Sequence, residues 1–263
     1  MIRTSRGSIT SRRSIAAVRG LALAWLVTPV FAVAQNAYIT NQGISPNFSN
    51  NVTVIDTTTN KVVTTIDVGL APSGVAVTPD GSKVYVANEA VKGTVSVIDT
   101  ATNAVSATVA VGSHPVGEAV KPDGSKIYVA NRGSRTVSVI ATASNTVVAT
   151  IDVGLAPFGV AVTPDGSEVY VTNLNNTVSA IDTATNAVSA TIPVGNGPVG
   201  VAFTPDGSKA YVANEFDHTV SVIATATNTI VATINVGTSP IAFGIFILPR
   251  FAGTPGSPSL SRH

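Results

Sequence analysis

The chain holds three histidines, His114, His218 and His263, and no cysteine. His114 precedes Glu118 by four residues and Lys121 by seven; His218 closes the run Glu215-Phe216-Asp217-His218. Imidazole, carboxylate and ammonium groups brought together can move protons or anchor a polar ligand. His114, His218 and Glu118 would also be a ligand set for a transition metal. Their spacing gives that reading no support, so no metal site is assigned. Absence of cysteine removes thiolate nucleophiles, thiolate metal sites and disulfides. No GxSxG elbow and no GxxxxGK phosphate loop occurs. No residue is therefore assigned as catalytic, and no cofactor is implied.

The elements that must position these residues are repeats. "TPDGSKVYVAN" (78–88) returns as "KPDGSKIYVAN" (121–131), "TPDGSEVYVTN" (163–173) and "TPDGSKAYVAN" (204–214). The prolines Pro79, Pro122, Pro164 and Pro205 stand 43, 42 and 41 residues apart. A period of this length belongs to solenoids, propellers and arrays. Each repeat reads as four short strands: A (GVAVTP), B (SKVYVAN), C (TVSVIDT) and D (AVSATVAVG). Asp80-Gly81 is a tight-hairpin signal between A and B. "DTATN" (99–103) supplies turn residues between C and D. Apolar groups on both strand faces suit a sheet sandwiched between two others. The fold class expected is all-β, a β-propeller of four-stranded antiparallel blades. Pro-Asp-Gly-Ser is read as a turn, because its single carboxylate falls short of the six to eight oxygens that Ca²⁺ takes.

The ends of the repeat array suggest closure. "NAYITN" (36–41) is a strand B without a strand A, and "PIAFGIFILP" (240–249) is a strand A alone. Their pairing would complete a fifth blade, close the ring and remove exposed edges. A monomer is then expected. Domain boundaries are set at 1–34, 35–249 and 250–263. The first segment carries Arg3, Arg6, Arg12, Arg13 and Arg19, then an apolar run from Leu21 to Val27 and the small-residue pattern Ala32-x-Ala34. It reads as an export signal cut after Ala34, with Ser11-Arg12-Arg13 adding a weak twin-arginine character. The protein is therefore expected outside the cytoplasm, without a membrane span once the signal is cut. The Gly-, Pro- and Ser-rich tail is expected to be disordered. Net charge is +1 and charged residues are 11%, against roughly 25% in an average domain. Nucleic acid is not an expected partner.

The "YVAN/YVTN" strand, the "TPDG" turn and the "VSVID" strand resemble the YVTN-type β-propeller repeat family over about residues 36–248. The resemblance implies an exported or surface protein and a ring of seven blades, where this chain supplies five.

Function should sit where the repeats disagree. D-to-A and B-to-C loops fall on one face of such a ring, and they vary. That face and the central mouth offer His114, Glu118, Lys121, Arg132, Arg135, Phe158, Glu215, Phe216, Asp217 and His218 as candidate ligand-binding residues. Glu118 and Lys121 replace the Val and Thr of other repeats, in or beside the innermost strand. Glu118 is read as a polar anchor, as a group facing a watery channel, or as a partner of Lys121 or Arg132. Asn88, Asn131, Asn173 and Asn214 recur and are read as strand-end turn residues. With uniform repeats and no catalytic signature, the expectation is a non-enzymatic exported scaffold presenting its loop face to an unspecified protein or envelope polymer. The alternative is a propeller enzyme, such as a lactonase, lyase or quinone-dependent dehydrogenase, working at the central mouth. A small-ligand binder using Phe158 and Phe216 is the third reading.

Overall fold

The computed structural model describes residues 35–45, 47–242 and 247. The expectations of an export signal over 1–34 and of a disordered tail over 250–263 lie outside the described residues. Val, Ile and Thr dominate the periodic segments, and their branched side chains pack well on a pleated surface. The described residues form five antiparallel sheets that pack face to face. Blade 1 has three strands: β1 (Asn36–Ile44), β2 (Asn47–Asp56) and β3 (Lys61–Asp67). Blade 2 follows with β4 (Pro72–Val77), β5 (Lys83–Asn88), β6 (Thr94–Asp99) and β7 (Ala104–Ala110). Blade 3 is β8 (Pro115–Val120), β9 (Lys126–Asn131), β10 (Thr136–Ala141) and β11 (Thr146–Asp152). Blade 4 is β12 (Pro157–Val162), β13 (Glu168–Asn173), β14 (Thr177–Asp182) and β15 (Ala187–Pro193). Blade 5 is β16 (Pro198–Phe203), β17 (Lys209–Asn214), β18 (Thr219–Ala224) and β19 (Thr229–Asn235). Among the described residues no helix is long and apolar enough to cross a membrane.

The core lies between blades. Tyr85, Ala87, Val95 and Val97 of blade 2 pack against Ile127, Val129 and Ile140 of blade 3, and the same layer recurs at each junction. Both faces of β5, β9 and β13 are buried, which is why these strands lack the alternation of a sheet with one wet face.

The turns hold as read. Gly81, Gly124, Gly166 and Gly207 take φ of 71°, 73°, 73° and 69°, the left-handed region where a Cβ is unfavourable. Asp80 accepts hydrogen bonds from the Thr78 hydroxyl (2.6 Å) and the Ser82 amide (3.0 Å). These bonds, the Thr78 bond first, hold its carboxyl down to about 2. Its oxygens serve its own turn.

The four repeated asparagines do more than end strands. Asn131 is fully buried, and its amide donates to Thr136 Oγ1 (3.0 Å) and Ser138 Oγ (2.9 Å). It thereby pins the B–C hairpin from within. Gly112 backs onto it: a Cβ there would lie 2.6 Å from Asn131 Cγ.

The expected ring closure is not made among the described residues. β1 pairs with β2 alone. The start of the lone strand A, residues 240–242, is not a strand. Ala242 lies instead against Gly200 on the forward side of β16, where a following blade's innermost strand would pass. Among the described residues the five sheets do not close into a ring, and repeat counting could not decide closure.

Candidate active site

Innermost strands of blades 2 to 5, with Gln42 of β1, surround a central cavity of about 510 Å³. Its walls are Val75, Val116, Val160 and Val201 with glycines between them. The glycines are there because neighbouring strands touch backbone to backbone: a Cβ on Gly159 would lie 2.5 Å from the Val199 carbonyl oxygen.

The loop face lies at one end of this cavity, as expected. The amide of Glu89 donates to the carbonyl of Ala71, and that of Arg132 to the carbonyl of His114 (2.9 Å each). B-to-C loops are thus tied to the D-to-A loops. At the rim a polar chain crosses three blades. Gln42 Nε2 donates to Glu89 Oε2 at 2.8 Å, and Glu89 Oε1 stands 3.8 Å from Arg132 Nη1. The Arg132 guanidinium lies 5.7 Å from the Phe158 ring centroid, within cation–π range. Gln42 and Phe158 both line the cavity. A cation, a carboxylate, an amide and an aromatic face therefore share one mouth. Sequence reasoning found Arg132 and Phe158. Glu89 and Gln42 were not among the candidate residues; Gln42 lies in β1, in the longest of the B-to-C segments.

The other candidates are placed differently. Glu118 keeps its stem at the cavity wall, but both carboxyl oxygens are buried and lack a hydrogen-bond partner among the described residues. It pairs across strands with Val129 and so points into the layer between blades 2 and 3. Burial is the largest cause and pushes its carboxyl up to about 8; the backbone amides of Ala87 and Ala76 lower it from nearby, without meeting hydrogen-bond geometry. Glu118 is neither in a watery channel nor paired with Lys121 or Arg132. Lys121 sits at the opposite end of β8, where its ammonium meets Asp123 at 2.9 Å. It takes the role of the turn hydroxyl of Thr78, Thr163 and Thr204. The trio His114, Glu118 and Lys121 does not assemble.

Backbone geometry accounts for His114, Arg135 and His218. His114 has φ 50° at the loop position held elsewhere by Ala71, Ala156, Gly197 and Ser239. Arg135 and His218 have φ 61° and 58° at the hairpin position of Asn176. His114 Nδ1 meets Ser113 Oγ at 2.7 Å, and His218 Nδ1 accepts from the Ser239 amide at 3.0 Å. No group of three or more His, Asp or Glu residues placed to hold a metal ion is found among the described residues. Asp217 accepts from the Asn196 amide at 2.7 Å. The Phe216 ring covers Gly197, and the Glu215 amide donates to the Gly197 carbonyl at 2.9 Å. Residues 215–218 therefore clamp the loop before β16 and do not reach the Arg132 rim.

The family model described as Lactonase, 7-bladed beta-propeller matches residues 49–240, well over half of the 263-residue chain. The chain belongs to this family. Among solved structures, it resembles a functionally unknown protein from Desulfotomaculum acetoxidans DSM 771 with a TM-score of 0.63 at 22% identity, covering 76% of this chain and 69% of that one. It also resembles Kuenenia stuttgartiensis hydrazine synthase with a TM-score of 0.56 at 21% identity, covering 77% and 84%. These two likenesses concern the propeller fold. No curated protein matches the sequence.

Membership in the lactonase propellers overturns the expectation of a non-enzymatic scaffold and favours the alternative, a propeller enzyme. The scaffold reading leaned on missing local motifs. A mouth built from single residues of several blades leaves no local motif. The family description also gives seven blades, where five were expected.

Proposed function

We propose that the chain is a hydrolase of cyclic esters and that the mouth around Arg132 is where the ring opens. The observation that carries this is the Gln42–Glu89–Arg132 chain lying across the Phe158 face at the cavity rim. Lactone hydrolysis needs a base for the attacking water, a donor for the developing oxyanion, and a surface for the ring. Glu89 is the base. It takes a proton from water as the water oxygen bonds to the lactone carbonyl carbon. Arg132 stabilises the negative charge that gathers on the carbonyl oxygen, the largest single contribution in acyl transfer. Gln42 orients the Glu89 carboxylate. Phe158 and the valine walls receive the apolar ring face. The ring C–O bond then breaks, its oxygen regains the proton, and an open hydroxy acid leaves. We read the YVTN-type strand signature as the code that builds these blades.

The test is proton release from a panel of γ- and δ-lactones incubated with the purified chain. Catalysed opening of one or more is expected. Failure to accelerate any of them, with the chain folded, overturns the proposal.

A further inference from the structure

We infer that copies of this chain associate head to tail, the forward face of blade 5 in one copy packing on the rear face of blade 1 in the next. The molecule displays the joint four times within itself. At each junction a forward face built from a B-strand tyrosine and β-branched residues meets a rear face built from the next blade's B and C strands. The two end faces are unmatched halves of that joint. Ile234 on the forward face of blade 5 is 44% exposed, whereas its counterparts Ile66, Val109, Ile151 and Ile192 are 2–6% exposed. Ile39 on the rear face of blade 1 is 49% exposed, whereas Val86, Val129, Val171 and Val212 are fully buried.

Polar latches give this apolar pair a register. Tyr38 OH donates to Asn103 Oδ1 (2.8 Å) and Tyr85 OH to Asn145 Oδ1 (2.7 Å); Tyr170 donates likewise to Asn228. Each acceptor is the left-handed asparagine of the following blade's C–D turn. Tyr211 of blade 5 meets no such acceptor among the described residues. Asn60 of blade 1 holds the same turn position, with φ 54°, and among the described residues no tyrosine donates to it. A second latch joins Lys83 Nζ to the Thr142 carbonyl (2.7 Å) and Lys126 Nζ to the Thr183 carbonyl (2.9 Å). Among the described residues Lys209 and Thr57 are its open halves. Among the described residues blade 1 has no innermost strand, while Ala242 lies against Gly200 where the next blade's innermost strand belongs.

A second copy satisfies all of these at once. Within one chain, blades 1 and 5 are joined by no shared core cluster and no strand pairing among the described residues. Such an interface is heterologous, so copies add in one direction and form a ring or an open chain.

Sedimentation velocity of the purified chain across a wide concentration range tests this, with Ile39→Arg and Ile234→Arg as variants. Both positions are exposed, so the melting curve of each variant reports an intact fold. Wild type is expected to grow beyond the monomer with concentration, and each variant to stay monomeric. Mixing the two variants should give dimers and nothing larger, because one sound interface remains. Tyr211→Phe, which removes only a hydroxyl, should weaken association about fivefold. A wild type that is monomeric throughout overturns the inference. So does association that survives both arginines, or a mixture that stays monomeric.

Discussion

The guanidinium of Arg132, on the β9–β10 loop of blade 3, lies over the ring of Phe158 on the innermost strand of blade 4, 5.7 Å from its centroid. The arginine is therefore held from below by an aromatic face and from the side by Glu89. Removing the ring should loosen the cation without removing it. Phe158→Ala is expected to lower kcat/KM for a lactone about fivefold to tenfold, from the loss of about 1 kcal/mol of cation–π contact. Most of the loss should appear in KM, since the ring also receives substrate. Steady-state kinetics of Phe158→Ala and Phe158→Leu beside wild type measure this.

Glu118 sets a pH dependence of stability. Its carboxyl titrates near 8 when folded and near the usual 4.5 when unfolded. Between these values the folded state holds a proton that the unfolded state has lost. Stability must then fall as pH rises through that window, by at most about 1.4 kcal/mol per unit, and level off above 8. Glu118→Gln should flatten this slope. Glu118→Val, which restores the residue of the neighbouring repeats, should raise Tm at neutral pH. Denaturant unfolding at several pH values reads both effects.

Two tyrosines at equivalent positions should respond differently to loss of their hydroxyls. Tyr85 OH donates to Asn145, whereas Tyr128 OH is buried without a partner among the described residues. Asn186, the acceptor in Tyr128's position, takes the Lys126 ammonium instead. Tyr85→Phe is expected to lose about 1 kcal/mol of stability. Tyr128→Phe should be neutral or stabilising, because an unpaired buried hydroxyl is removed. Chemical denaturation of the two variants side by side decides the matter.

Gly112→Ala places a methyl into the side chain of Asn131, which its bonds to Thr136 and Ser138 hold fixed. A destabilisation of about 1–3 kcal/mol is expected from overpacking. Gly81→Ala meets no neighbouring atom and is strained only by its φ of 71°. Thermal melts of both variants separate crowding from backbone strain.

Blades, turns and the two ends of the sheets were legible in the sequence because each is written locally. Val-Tyr-Val in a strand buried on both faces, or Asp-Gly in a hairpin, carries its own physical reason. The mouth was legible only in part. Arg132 and Phe158 stand out as departures between repeats, but Gln42 lies in the extended end of β1, which has no counterpart to compare. Glu118 stood out as a carboxylate in a valine position; it shares the cavity wall with Val75, Val160 and Val201, and the burial of its carboxyl oxygens depends on packing that the sequence does not write. Lys121 looked like a companion of Glu118 because it is three residues away. The β8 strand carries it to the far end, where it serves the turn. The closed ring was read from strand counting, which does not decide whether the first and last strands pair; among the described residues they do not.

The most direct measurement of the central claim is kcat/KM for lactone opening by Arg132→Met beside wild type, with melting curves confirming equal folding. Loss of an oxyanion donor predicts a fall of about 10²–10³-fold, carried by kcat. Unchanged turnover in Arg132→Met would contradict the assignment of the reaction to this mouth.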